Sequence, residues 1–175
     1  NMFLVYKGLI QNNSFNFFTI TTAMQTSMFF AMNGFMPYEF ARKGVSISEF
    51  GIWFSLTSVG YIFGNIINSK LSPKLGLERM CLIGTICSFS TVSIFFINNN
   101  FFENGPLALS LICVLFGCSN GFAVANSMTG AINSSKSNKG AASGLMGAFQ
   151  VGSGGVAGFL IIFFGGAENF NICLI

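Results

Sequence analysis

Charge is nearly absent from most of this chain, and where it occurs it is bunched. The eight basic and five acidic residues leave uncharged runs over residues 8–38, 50–69, 80–102, 104–135 and 140–167. Each run can hold the ~20 mostly apolar residues that a helix needs to cross a bilayer. Charged residues make up 7% of the chain, against about 25% in soluble domains. The chain therefore reads as an all-α, polytopic membrane protein. Five transmembrane helices are expected, over about residues 15–38, 47–69, 78–98, 105–133 and 138–164, with a truncated span starting at residue 170. Residues 1–14 are expected to be a cytoplasmic lead-in, as a loop or interfacial segment, and residues 15–175 the helix bundle. With neither an initiating methionine nor a polar tail, we read the sequence as a piece of a longer polypeptide.

The fifth run has the most unusual face. Wound at 3.6 residues per turn, GAASGLMGAFQVGSGGVAG aligns Gly140, Gly144, Gly147, Val151, Gly154, Gly155 and Gly158 in one stripe. Leu145, Phe149, Val156 and Leu160 fall opposite. Each glycine costs a helix in water about 1 kcal/mol relative to alanine. In lipid the backbone has no other partner and the helix holds. A smooth stripe lets a second helix backbone come close, so these glycines, with Gly60 and Gly64 in the second span and Gly117 and Gly121 in the fourth, are predicted helix-packing positions. Gly152, Gly154 and Ala157 also fit the loose G-x-G-x-x-A dinucleotide pattern. That pattern needs a preceding strand and a later acidic residue, and here it lies mid-helix.

The first span carries a polar stripe of Thr19, Thr22, Gln25, Thr26, Phe29, Asn33 and Met36. Such a stripe faces a bundle interior or a wet cavity, or it serves as interhelical glue. Its length over several turns favours the cavity. In the fourth span Ser119, Ala123, Asn126, Gly130 and Asn133 share a face expected to be wet, while Gly117, Gly121 and Val124 lie on the packing side. Thr22, Gln25, Phe29, Asn33, Ser119, Asn126 and Gln150 are thus the predicted lining of a substrate cavity. The third span, bulky and with the single glycine Gly84, is expected to face lipid. Pro37 should kink or end the first helix. Ser46 and Glu49 have the spacing of a capping box that starts the second. Pro73 and Gly76 mark a basic loop over residues 70–79.

Several chemistries are excluded. The chain has neither histidine nor aspartate, which removes Ser-His and Cys-His catalysis, histidine metal sites and paired-aspartate proteolysis. No catalytic residue, metal ligand, cofactor or nucleic-acid contact is expected, and the protein is read as a non-enzyme. Cys81, Cys87, Cys113, Cys118 and Cys173 lack C-x-x-C spacing and read as small buried hydrophobes.

Three stretches carry a family resemblance: VSISEFGIWFSLTSVGYIFGN, GCSNGFAVANSMTGAI and SNKGAASGLMGAFQVGSGGVAG, set around a Pro-containing first span and a short basic loop. From about Tyr6 to the end the chain resembles the C-terminal half of a major facilitator superfamily transporter, and is most similar to the Bcr/CflA-type drug:proton antiporters. Ala125 stands where the family often has proline, and LSPKLGLER lacks the acidic residue of the superfamily's cytoplasmic loop. The resemblance implies a multi-pass protein of the inner (plasma) membrane that works by alternating access. It implies proton-coupled export of small, drug-like, amphipathic or cationic molecules. It also implies that the coupling acids and the antiporter motif lie in an N-terminal half of the same transporter, a partner in the bilayer. The alternatives are a major facilitator importer of a small metabolite and a non-transport membrane scaffold.

Basic residues set orientation, because cytoplasmic loops are enriched in them. With the chain start inside, Lys7, Lys70, Lys74, Arg79, Lys136 and Lys139 are cytoplasmic, opposed there by Glu78 alone, and Arg42 and Lys43 lie outside. In a cysteine-free background, a cysteine at Lys74 or Lys136 should resist an impermeant maleimide in intact cells and react after permeabilisation. Ready labelling from outside would invert the topology.

Overall fold

A computed structural model describes residues 2–102, 105–135, 137–161 and 163. The described residues form six helices: α1 (Met2–Ile10), α2 (Asn13–Arg42), α3 (Ile47–Leu75), α4 (Leu77–Phe101), α5 (Pro106–Asn133) and α6 (Lys139–Leu160). The truncated span from residue 170, with Glu168 and Cys173, lies outside the described residues.

Three expectations about helix ends need correction. Residues 2–10 are helical: α1 docks Leu9 beside Phe15, Ala142 and Met146. Pro37 does not end α2, which runs on to Arg42 and buries Met36, Glu39 and Phe40. A proline removes one backbone donor, but inside a bundle the freed carbonyl is tolerated and burial carries the helix onward. The charged connection therefore shrinks to a turn at Gly44, φ 77°. Likewise α3 continues through Pro73 to Leu75, and the basic loop reduces to Gly76, φ 84°. Both glycines occupy the left-handed region that L-residues avoid.

The caps follow from the sequence. The Asn12 side-chain oxygen accepts from the Ser14 and Phe15 amides at 2.9 and 3.2 Å, meeting two of the orphan donors at the start of α2. Its amide nitrogen donates to the Ser134 carbonyl at 3.2 Å, so one residue ties the start of α2 to the end of α5. The Ser46 amide donates to the Glu49 carboxylate at 3.0 Å, as the capping-box spacing requires. Pro106 opens α5 at a position where a missing N–H costs nothing.

Among the described residues α3, α4 and α5 are long and apolar enough to cross a membrane. The expected count of five spans is not reached on that criterion. The polar stripe of α2 and the glycines of α6 lower their hydropathy.

Helix α5 is the hub, packing on α2, α3, α4 and α6, while α2 pairs with α6 along its length. Against α3 the fit is glycine to backbone. A Cβ at Gly60 or Gly64 would strike the Val114 or Cys118 carbonyl, and one at Gly117 the Thr57 carbonyl. The Cys118 thiol donates to the Gly60 carbonyl at 3.1 Å. Against α4, a Cβ at Gly84 would lie 2.6 Å from the Ala123 nitrogen. One face of α4 is therefore packed, through Cys81, Gly84, Ser88, Thr91 and Phe95, while Leu82, Ile86 and Phe89 stay exposed for lipid.

Two apolar clusters close the ends of the bundle. One gathers Met32, Met36, Phe40, Phe95, Ile112, Cys113 and Phe116. The other gathers Leu9, Phe15, Phe18, Cys81, Ala131, Ala142 and Met146.

The α6 stripe meets little of this chain. Gly140, Gly144, Gly147 and Gly158 have open space at the Cβ position. Gly154 alone of the predicted packing glycines on α6 is pressed, with Phe30 2.9 Å from a Cβ built there. Leu145, across from the stripe, packs on the cluster at Met146. Gly117→Leu should therefore destabilise the bundle by about 1–3 kcal/mol or prevent folding. Gly144→Ala should be neutral or slightly stabilising. Thermal unfolding in detergent measures both.

Candidate translocation groove

The polar residues of the bundle fall into two sets, and helical periodicity alone does not separate them. The first is a buried layer between the two apolar clusters. The Thr22 hydroxyl lies 2.8 Å from the Ser127 hydroxyl and also within donating distance of the Phe18 carbonyl, at 3.0 Å. Ser88 on α4 faces Gln25 Oε1 at 3.0 Å and Ser119 Oγ at 2.9 Å. Its single hydroxyl hydrogen has two acceptors, and Ser119 sends its own hydrogen to the Phe116 carbonyl at 2.8 Å. Nearer one end, the Asn126 amide donates to Asn68 Oδ1 at 2.6 Å and its oxygen accepts from the Ser72 hydroxyl at 2.6 Å.

Thr22, Gln25, Ser119 and Asn126, all predicted to line a cavity, thus sit in helix–helix contacts and are nearly inaccessible. The α5 face expected to be wet is packed against α2, α3 and α4. The reason is geometric: α5 is surrounded, so both of its faces meet neighbours. Asn33 is half-buried, and its amide donates to the Phe29 carbonyl one turn back at 2.7 Å.

The second set lines an open groove of ≈ 350 Å³ between α2, α3, α5 and α6. Thr26, Phe29 and Phe30 come from α2, and Phe54, Thr57, Ser58 and Tyr61 from α3. Gly117, Asn120 and Val124 come from α5, and Gln150 from α6. Of the predicted cavity residues, Phe29 and Gln150 are here. The groove falls in the range of roughly 300–1,000 Å³ usual for small-molecule sites. At its lining Asn120 and Thr57 are 7% and 5% exposed; the Thr57 side chain is hydrogen-bonded to Cys113, and Asn120 Oδ1, itself buried, has no partner. Buried polar atoms are normally paired, and the Thr19 and Ser110 hydroxyls, away from the groove, lack partners as well.

Sequence reasoning missed Asn120, Thr57, Ser58 and Tyr61. Asn120 could have been found as an amide in mid-span, since polar side chains at that depth are costly unless used. It was passed over because it lies one residue, about 100° of helix rotation, from the Ser119 face. The signal for Thr57 and Tyr61 is that each lies three residues before a packing glycine, Gly60 and Gly64, which sets them on the flank of the α3–α5 contact.

Among the described residues no charged side chain lines the groove. Among the described residues the buried acid is Glu39, whose carboxylate pairs with Arg42 at 3.1 Å, and Glu49 and Glu78 are exposed. Cys81, Cys87, Cys113 and Cys118 are free thiols. Among the described residues no group of histidine, cysteine or acidic side chains could hold a metal ion.

Residues 10–171 match the family model described as Major Facilitator Superfamily. No curated protein matches the chain, and no solved structure does either.

The two polar sets should respond differently to truncation. Asn126→Ala unpairs Asn68 and Ser72, and should cost roughly 0.6–2 kcal/mol of stability, the range for interhelical hydrogen bonds in membranes. Gln150→Ala, at the groove, should leave the unfolding temperature nearly unchanged. Comparing the two variants in one detergent checks this.

Proposed function

The chain belongs to the Major Facilitator Superfamily, and from that premise we propose that it is the C-terminal half of a proton-coupled exporter of small, drug-like molecules. Members of this superfamily are multi-pass membrane transporters rather than enzymes, which supports reading the chain as part of a transporter. The finer reading, toward the Bcr/CflA-type antiporters in the inner (plasma) membrane, is supported by the motifs at residues 45–65, 117–132 and 137–158. A small-metabolite importer remains the second reading, because direction is a property of coupling and the groove is compatible with either.

The observation that carries the proposal is the groove, open and aromatic-walled, with Thr57, Asn120 and Gln150 among its lining residues. In secondary transporters the substrate sits near the midplane between two repeats that rock about it. A six-helix half supplies one wall of such a site. On this reading the N-terminal half supplies the other wall and the proton-coupling acids, and packs near the open glycines of α6. The pairing of Glu39 with Arg42 in α2 fits an acid held for structure rather than for coupling.

The test is transport in cells that carry this chain alone, this chain with a co-expressed N-terminal half, and the pair with Gly147→Leu. The pair should lower accumulation of a fluorescent drug, and a protonophore should abolish the effect. The chain alone should be inactive. Gly147 has open space within this chain, so leucine should leave the chain's own folding intact and weaken only its assembly with the other half. Full export by the chain alone, or by the leucine pair, would overturn the half-transporter reading.

A further inference from the structure

We propose that α2 and α5 hold a soft monovalent metal ion, copper(I), between the thioether of Met36 and the thiol of Cys113, with Met32 as a third sulfur. The inference goes beyond the transport reading and stands on the sulfur geometry alone.

Met24, Met28, Met32 and Met36 recur at every fourth position of α2. Residues four apart on a helix are neighbours, so their thioethers follow one another along it. Exposure falls along the row: Met24 is 65% exposed, Met28 is partly buried, Met32 is 7% exposed and Met36 1%. Met28, Met32 and Met36 line a cavity of ≈ 220 Å³ with walls from α2, α4 and α5. Methionine alone is an adaptable filler of apolar space. Here the row ends on a second sulfur. The Cys113 thiol donates to Met36 Sδ, with the two sulfurs 3.8 Å apart, and Cys113 is fully buried. Two sulfurs each about 2.3 Å from one ion, the length of a zinc–thiolate bond, stand about 3.8 Å apart at a tetrahedral angle. The thiol hydrogen thus occupies the place that a bridging ion would take.

Thioether and thiolate ligands select soft ions such as copper(I), whereas carboxylate and carbonyl oxygens suit magnesium, calcium and manganese. Among the described residues no carboxylate lines the cavity. Binding replaces the Cys113 hydrogen: one sulfur–metal bond forms at Cys113, one at Met36, and one proton leaves to solvent. The thiolate and the monovalent ion cancel, so the apolar cluster takes in no net charge. The Thr57 side chain is hydrogen-bonded to the same thiol, and its hydroxyl can donate to the thiolate. Phe35, Phe95 and Phe116 belong to the cavity wall, and an apolar shell controls how water reaches a metal. Met24 and Met28 offer a ligand at each turn to an ion entering from the exposed end of the row.

The experiment uses the full-length polypeptide that carries this chain, purified in detergent under reducing, oxygen-free conditions. Copper(I) is supplied as its coloured bicinchoninate complex, and loss of colour reads the copper that the protein takes. The unmodified protein should take copper(I), and X-ray absorption should show a shell of sulfur alone. Met36→Leu, a volume-conserving change that cores tolerate, should weaken uptake at least about tenfold, as loss of even an outer partner of a metal does. Cys113→Ala should weaken it at least as much. Met80→Leu and Cys81→Ala remove the same groups at buried positions outside the cavity lining, and should leave uptake unchanged. If Cys113→Ala fails to fold, Met36→Leu decides alone, since it keeps the thiol. No uptake, a shell of nitrogen or oxygen, uptake that Met36→Leu leaves intact, or an equal loss in Met80→Leu would each overturn the proposal. Copper(I) binding in a protein that exports no drug would sink the transport reading and leave the site standing. Drug export by a protein that takes no copper(I) would sink the site alone.

Discussion

The contact between α3 and α5 sets the geometry of everything around it. Lipid is as apolar as a leucine side chain, so helices in a membrane gain little by hiding such side chains from it and associate through close packing instead. Gly60 and Gly64 admit the α5 backbone at Val114 and Cys118, and Gly117 and Gly121 admit the α3 backbone at Thr57 and Tyr61. The fit is mutual: each helix is both ridge and groove. Because backbone meets backbone, no side-chain rotamer can adjust the separation. Thr57 and Asn120, on the flank of this contact, are held as rigidly as the glycines themselves. The groove is a by-product of that approach. Phe54 and Tyr61 stand along the flank of that contact, and α2 and α6 close the space from the other side.

The buried polar layer follows a different rule. Most of its hydroxyls have a second acceptor within their own helix: Thr22 at the Phe18 carbonyl, Ser127 at the Val124 carbonyl, Ser119 at the Phe116 carbonyl. An interhelical bond from such a hydroxyl can break without leaving a donor stranded in an apolar interior. The layer thus fixes register weakly and reversibly. This suits helices that must shift past one another, as alternating access demands. Asn68, Ser72 and Asn126 are tighter, since an amide has more groups to satisfy and here both sides of the Asn126 amide are used. They act as a clasp between α3 and α5 near one end.

What the sequence disclosed and what it withheld divide along physical lines. Each uncharged run overlaps one of the long helices α2 to α6 among the described residues, though only α3, α4 and α5 are long and apolar enough to cross a membrane. Glycine spacing located the α3–α5 contact at Gly60, Gly64, Gly117 and Gly121, because close approach tolerates no substitute. At Pro37, where a kink or an end was expected, burial of Phe40 carries α2 on to Arg42, and at Pro73, read as a loop residue, α3 runs two residues further to Leu75. The polar residues were the hardest to sort. A threonine or amide at helical spacing reads alike whether it bonds a neighbour or lines a cavity, since both need an inward face. Gln25 and Asn126 turned out to be buried bonds, while Asn120, one residue from the chosen face, lines the groove. The difference depends on how far apart neighbouring helices stand, which no single helix encodes.

Helix α6 shows the same limit from the other side. A glycine in a helix gives up about 1 kcal/mol relative to alanine in water, chiefly through backbone entropy, and a close contact is the usual compensation. At Gly154 that compensation is present, with Phe30 and Thr26 against it. At Gly140, Gly144, Gly147 and Gly158 there is none within this chain. Helix α6 packs on this chain through Ala142, Met146 and Leu145, while Phe149, Val151 and Val156 are exposed beside the open glycines. Those glycines have the small-residue character that membrane helices use for close approach. The same small-residue chemistry is filled where α3 meets α5 and open along part of α6.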